Sequence, residues 1–122
     1  MVEFKIQLEE SIVQTFGYKE VEQYLQDFVK KMLVLFIETM PPAIEEMKQH
    51  LNSAEWNALG AVAHKIKPSI DTMGIDLLRE DIRSIERFGK EALNTDQIPA
   101  LLEKIERVLD KVADDLRSEM NT

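Results

Sequence analysis

The chain has 122 residues, no cysteine and a net charge of -8, which suits one domain with one core. The missing cysteine removes disulfide frameworks, thiolate nucleophiles and zinc–thiolate centres, and the acidic balance argues against nucleic acid, whose binding rests on neutralising phosphates. No apolar run approaches the roughly 20 residues needed to span a bilayer, and the start, Met1-Val2-Glu3-Phe4-Lys5, lacks the layout of a signal peptide, so a cytoplasmic protein free of membrane is expected.

Apolar residues recur at three and four, the helix period, and no segment alternates as a strand would. The spacing predicts a short helix over Lys5 to Thr15, ending near Gly17. A long helix follows from about Lys19 to Thr39, with Val21, Leu25, Phe28, Met32, Leu35 and Phe36 inward. Pro41-Pro42 is expected to interrupt it. Proline fits a first helical turn, so Pro42 to Leu51 restarts a helix with Ile44, Met47 and Leu51 on its buried side. Asn52-Ser53-Ala54-Glu55 has the spacing of a capping box, predicting a helix from near Ser53 to about Met73, stopped by Gly74. Asp76 caps the next, which reaches Phe88 with Leu78, Ile82 and Ile85 inward and ends at Gly89. Asn94-Thr95 opens the last, running to about Arg117 through Ile98, Leu101, Leu102, Ile105, Val108, Leu109 and Val112. The sum is an all-α fold, an antiparallel four-helix bundle with an additional short N-terminal helix. It forms a single domain over residues 1–122, and its cap-to-tail layout favours a free-standing protein.

The segment Ala63-His64-Lys65-Ile66-Lys67-Pro68-Ser69 carries the chemistry. On a wheel of about 100° per residue, Leu59, Val62, Ile66, Ile70 and Met73 form one stripe. His64 falls towards the opposite side, beside Gly60, Ala61, Lys67, Pro68 and Asp71. Its ring should project into solvent among mostly small side chains, where another protein can approach. Imidazole with a pKa near 6.5 is largely neutral near pH 7 and offers a lone pair that can attack phosphorus without a separate base. Lys67 lies one turn on and can act as a point charge on phosphoryl oxygens. Lys65 is displaced sideways and is the weaker candidate. Residues 51–90 hold six acids and six bases, whereas the segments before and after each carry -4, so an anionic group is tolerated best here. Pro68 removes the helical hydrogen bond to the carbonyl of His64 and crowds it, predicting a local bend or a cost met by packing.

Other features read more plainly. A lone exposed histidine is ordinarily a surface residue, and His50 takes that reading as a cation at a helix end. Two histidines without cysteine make a poor metal site, and none is expected. Arg79, Arg83 and Arg87 read as a solvated face paired with Glu80, Asp81 and Glu86, with a docking surface for an acidic partner as the alternative. Trp56 and the methionines read as packing residues. No nucleotide-binding glycine loop and no second catalytic group near His64 is evident, so an enzyme is not expected.

The motif Ala63-His64-Lys65-Ile66-Lys67, with Ser69, Gly74 and Leu77-Leu78 beyond, resembles the histidine-containing phosphotransfer (HPt) domain family. The lead-in from Phe36-Ile37-Glu38-Thr39 through Ile44, Met47, Leu51, Trp56 and Leu59 matches as well, and the resemblance extends loosely over about residues 20–116. It implies a four-helix core with an exposed acceptor histidine midway along one helix. His64 would take a phosphoryl group from the aspartate of one receiver domain and pass it to another in a multistep phosphorelay. Lys67 would stabilise that group with Lys65 assisting, and Gly74 would keep the surface near the histidine open. Pro68 departs from the common pattern, which has glycine there. The expected partners are receiver domains of a hybrid histidine kinase or a response regulator, met by a monomer through Gly60, Ala61, Pro68, Asp71 and Gly74. No cofactor is expected on this chain, magnesium being supplied by the receiver. The competing reading is a helical module that docks on a kinase or receiver without carrying phosphate.

Overall fold

A computed structural model describes residues 17–120. Four α-helices follow one another: α1 Tyr18–Asn52, α2 Trp56–Thr72, α3 Asp76–Glu91 and α4 Ile98–Met120, the last preceded by a single 3-10 turn at Thr95–Gln97. Each helix packs on its neighbour in sequence, and α1 also packs on α4. The connections are short, which forces neighbouring helices antiparallel and closes a four-helix bundle. The expected N-terminal helix at Lys5 to Thr15 lies outside the described residues.

The core follows the predicted periodicity. Phe36, Met40, Ile44 and Met47 of α1 meet Leu59, Val62, Ile66 and Ile70 of α2, with Leu78, Ile82 and Ile85 of α3 and Ile98, Leu102 and Ile105 of α4 completing it. Burial of each such side chain contributes roughly 1.5–3 kcal/mol. Trp56 and Met32 pack against this core, as packing residues should.

That burial explains the first departure from expectation. Pro41 and Pro42 do not interrupt α1, which runs unbroken through both. Each proline removes one backbone hydrogen bond and costs about 3 kcal/mol in a helix interior. Both prolines are solvent-exposed, so water can reach that face, while four buried side chains on the opposite face outweigh the cost. The extended α1 also turns differently from the expected wheel. Val21 is buried, but Phe28 and Leu35, expected inward, are 57% and 60% exposed.

Helix ends supply the second departure. Asn52-Ser53-Ala54-Glu55 forms no capping box, and Glu55 makes no side-chain cap. Ser53 instead closes α1, with Ala54 left-handed at φ 54° and Glu55 N–H donating to the His50 carbonyl at 2.9 Å. The same six-to-one bond recurs from Ile75 to Ile70 at 3.2 Å and from Leu93 to Phe88 at 3.2 Å. These are Schellman closures. Gly74 supplies the left-handed residue at the second, φ 69°, as predicted, but at the third it is Ala92 at φ 51°. Gly89 therefore does not end α3; it serves packing, described below.

Between helices the ties are ionic. Lys104 pairs with Asp81 at 2.7 Å across α4 and α3, and Lys48 pairs with Glu106 across α1 and α4.

Candidate functional site

The α2–α3 pair builds the site, and two glycines set its spacing. A Cβ on Gly89 would lie 2.7 Å from the Trp56 carbonyl oxygen and 2.9 Å from the Cα and N of Gly60. A Cβ on Gly60 would lie 3.1 Å from the Glu86 carbonyl oxygen. The two backbones touch here, one helical turn before His64 and one after Glu86. Gly60 is buried in this crossing, so it does not face a partner as its wheel position suggested.

His64 stands on α2 with its side chain 62% exposed. The helix beneath it is unbroken through Pro68, while Ala63 and Ile66 anchor the other face in the core. The close crossing brings Glu86 of α3 against the ring, its Oε2 2.6 Å from His64 Nδ1. The other carboxylate oxygen accepts from Lys67 Nζ at 2.9 Å, and Lys90 Nζ lies 3.8 Å from Oε2. Glu86 is only 14% exposed. Burial pushes its carboxyl pKa up, but hydrogen bonds from Lys67 and His64 and the charges of Lys67 and Lys90 outweigh burial and hold it below the usual glutamate value. The group is a carboxylate at neutral pH. With a carboxylate on Nδ1, that nitrogen carries the proton and the lone pair is left on Nε2.

Sequence reasoning missed Glu86. It placed this acid in a surface ladder with the arginines, and nothing in its spacing links it to a histidine 22 residues earlier. The arginine row is re-sorted throughout. Arg83 grips Asp71 with two hydrogen bonds, at 2.6 and 3.0 Å, Arg79 lies 3.7 Å from the same carboxylate, and Arg87 stacks over the Phe88 ring at 5.2 Å. Among the described residues none forms an ion pair with Glu80, Asp81 or Glu86 in the expected ladder, although the charges of Glu80 and Glu86 still act on Arg83. Asp71 is thus committed to a tie between α2 and α3 rather than open to a partner.

That tie makes a pH-dependent contribution. The hydrogen bond from Arg83 outweighs desolvation and lowers the Asp71 pKa in the fold. A carboxyl depressed on folding adds stability above its unfolded pKa of about 3.9 and loses it as pH falls through the lower folded value. Asp71→Asn should therefore melt below wild type at pH 7, with the gap closing below about pH 4. Thermal melts at both pH values test this; an unchanged gap would remove Asp71 from the acid response.

The remaining expected residues scatter around the histidine. Ala61, Lys65 and Pro68 are exposed. Lys65, Pro68 and Ser69 form one wall of a groove of about 580 Å³ whose other wall is Leu35, Thr39 and Ala43 of α1. Gly74 sits past the end of α2, where a Cβ would meet nothing within 4 Å, so its left-handed backbone, not crowding, is what requires glycine. His50 lies 3.6 and 3.5 Å from Glu46 and Glu55 at its helix end. Among the described residues no three His, Asp or Glu side chains gather as a metal would require, and no helix is long and apolar enough to cross a membrane.

An exposed imidazole, its tautomer set by a carboxylate and its flank lined by lysines, suits a phosphoryl acceptor. A family model for the Hpt domain matches residues 31–119. No curated protein and no solved structure matches the chain. Most of the chain, from the middle of α1 to the end of α4, is covered by that match, and the protein belongs to the Hpt domain family, the phosphocarrier modules of two-component and phosphorelay signalling.

Proposed function

We propose that this protein is a phosphorelay intermediate that accepts a phosphoryl group on His64 from a receiver-domain aspartate and passes it to a second receiver. The observation that carries the reading is the His64–Glu86 contact at 2.6 Å. It leaves Nε2 as the nucleophile on a helix that a partner can reach.

Phosphoryl transfer asks little covalent chemistry of the carrier; positioning and charge neutralisation dominate. Nε2 attacks phosphorus in line with the departing aspartate oxygen, the P–O bond breaks, and its electron pair returns to the carboxylate. Lys67 sits where it can swing from Glu86 to the incoming oxygens. Lys65 and Pro68, exposed on the groove side, suit contact with the receiver, as does Ala61. The receiver brings the magnesium, and the chain acts as a carrier rather than an enzyme, inside the cell.

Phosphorylated receivers from the same genome, incubated with the protein, should transfer label to an acid-labile, alkali-stable group. Lys67→Ala should slow that transfer by about tenfold, the effect of losing about 1.4 kcal/mol of charge stabilisation, with helicity unchanged. Equal rates would remove Lys67 from the mechanism. A protein that no receiver labels, yet binds one, would favour the docking-module reading.

A further inference from the structure

Glu86 is a half-buried acid at the site, and the site as first read from sequence has no use for it. Three groups converge on its carboxylate: His64 Nδ1 at 2.6 Å, Lys67 Nζ at 2.9 Å and Lys90 Nζ at 3.8 Å. A plain surface ion pair would be worth little. This one is 14% exposed, where charge interactions are screened less. It also faces a ring whose far nitrogen is the proposed acceptor.

We infer that Glu86 is a positioning residue whose negative charge shortens the lifetime of the phosphoryl group on His64 and so makes the carrier a ready donor. The inference rests on the phospho-acceptor reading above. When Nε2 bonds to phosphorus while Nδ1 keeps its proton, the ring becomes an imidazolium. A carboxylate on Nδ1–H stabilises that cation. An imidazolium is the better leaving group, because the electron pair of the breaking N–P bond returns to a positively charged ring.

Two further effects point the same way. The carboxylate repels a phosphoryl dianion held across the same ring. It also competes for Lys67 and Lys90, the cations that would otherwise hold the phosphoryl oxygens. A neutral glutamine at this position keeps a hydrogen-bond acceptor for Nδ1–H but loses the charge, the repulsion and the strong hold on the lysines.

The test uses phosphoramidate as donor, so no receiver need be identified. Nε2 forms its bond to phosphorus, the P–N bond of the zwitterionic donor breaks, and ammonia leaves with that electron pair. Wild type and Glu86→Gln are labelled, freed of donor, and followed by 31P NMR. The variant is expected to hold its phosphoryl group about tenfold longer at neutral pH, and the midpoint of its 31P titration should fall by about one pH unit. The 15N shifts of the ring should still report the Nδ1–H tautomer, which separates loss of charge from loss of orientation.

Should Glu86→Gln fold poorly, Lys67→Gln supplies the reverse test. It strips Glu86 of its main counter-charge and should raise the 31P midpoint. Equal lifetimes and midpoints in wild type and Glu86→Gln would overturn the inference while leaving the acceptor role standing. Failure of folded wild type to take label on His64 would overturn both.

Discussion

His64→Gln is expected to abolish phosphoryl labelling while leaving the fold intact. Glutamine has no nitrogen lone pair available for attack on phosphorus, because its amide nitrogen is conjugated with the carbonyl, so the nucleophile is lost outright. The stability cost is small. The side chain is 62% exposed and makes a single hydrogen bond among the described residues, so its loss is worth about 1 kcal/mol or less. Glu86 keeps its bond to Lys67 at 2.9 Å and is not left as a bare buried charge. Label followed from a phosphorylated receiver or from phosphoramidate, beside circular dichroism of the same samples, decides the matter. Label persisting in the variant would move the acceptor elsewhere, and His50 would be examined first.

Gly89→Ala is expected to destabilise the protein although alanine is the better helix former. Within a helix the exchange ordinarily gains up to about 1 kcal/mol. Here the new methyl would stand 2.7 Å from the Trp56 carbonyl oxygen and 2.9 Å from two backbone atoms of Gly60. No side chain can rotate away; the two helices must separate. Overpacking of this kind costs about 1–3 kcal/mol, and contact with backbone places it at the upper end. The net loss is about 2 kcal/mol, lowering Tm by about 10 °C at this size. Separation also draws Glu86 away from His64, so the ring nitrogen shifts should change with stability. Gly60→Ala, whose Cβ would come no nearer than 3.0 Å to a backbone atom, should behave alike but more mildly. A Gly89→Ala protein that melts at or above the wild-type temperature would show the crossing to be looser than described.

Much of this molecule was legible in its sequence, and the parts that were not share a cause. The core stripes of α2, α3 and α4, the exposure of His64 and the stop at Gly74 all follow from periodicity and from a residue's own conformational range, which are local properties. The errors arose where a residue's neighbours are distant in the chain. Pro41 and Pro42 read as a break because helix propensity is local, whereas the burial that carries α1 through them comes from α2 and α4. Asn52 read as an N-cap because a glutamate stands three residues on, but it is the last residue of the helix before, which Ser53 closes. Gly89 read as a terminator because glycine most often supplies left-handed backbone, whereas Ala92 supplies it and Gly89 supplies space.

The site divides along the same line. Sequence alone determined the acceptor candidate and its nearest cation, since His64 and Lys67 sit one turn apart on a single helix and any helix would place them so. Only the tertiary structure decided what the ring faces. Glu86 reaches Nδ1 because two glycines let α2 and α3 touch at backbone distance, a fact of packing that no spacing within either helix records. The same contact turned Lys67 from a free cation into one held by a carboxylate, and Asp71 from a docking residue into an inter-helix tie. Local pattern fixes which face a side chain takes; the partner on that face depends on how closely helices pack, and here that is set by the absence of two methyl groups.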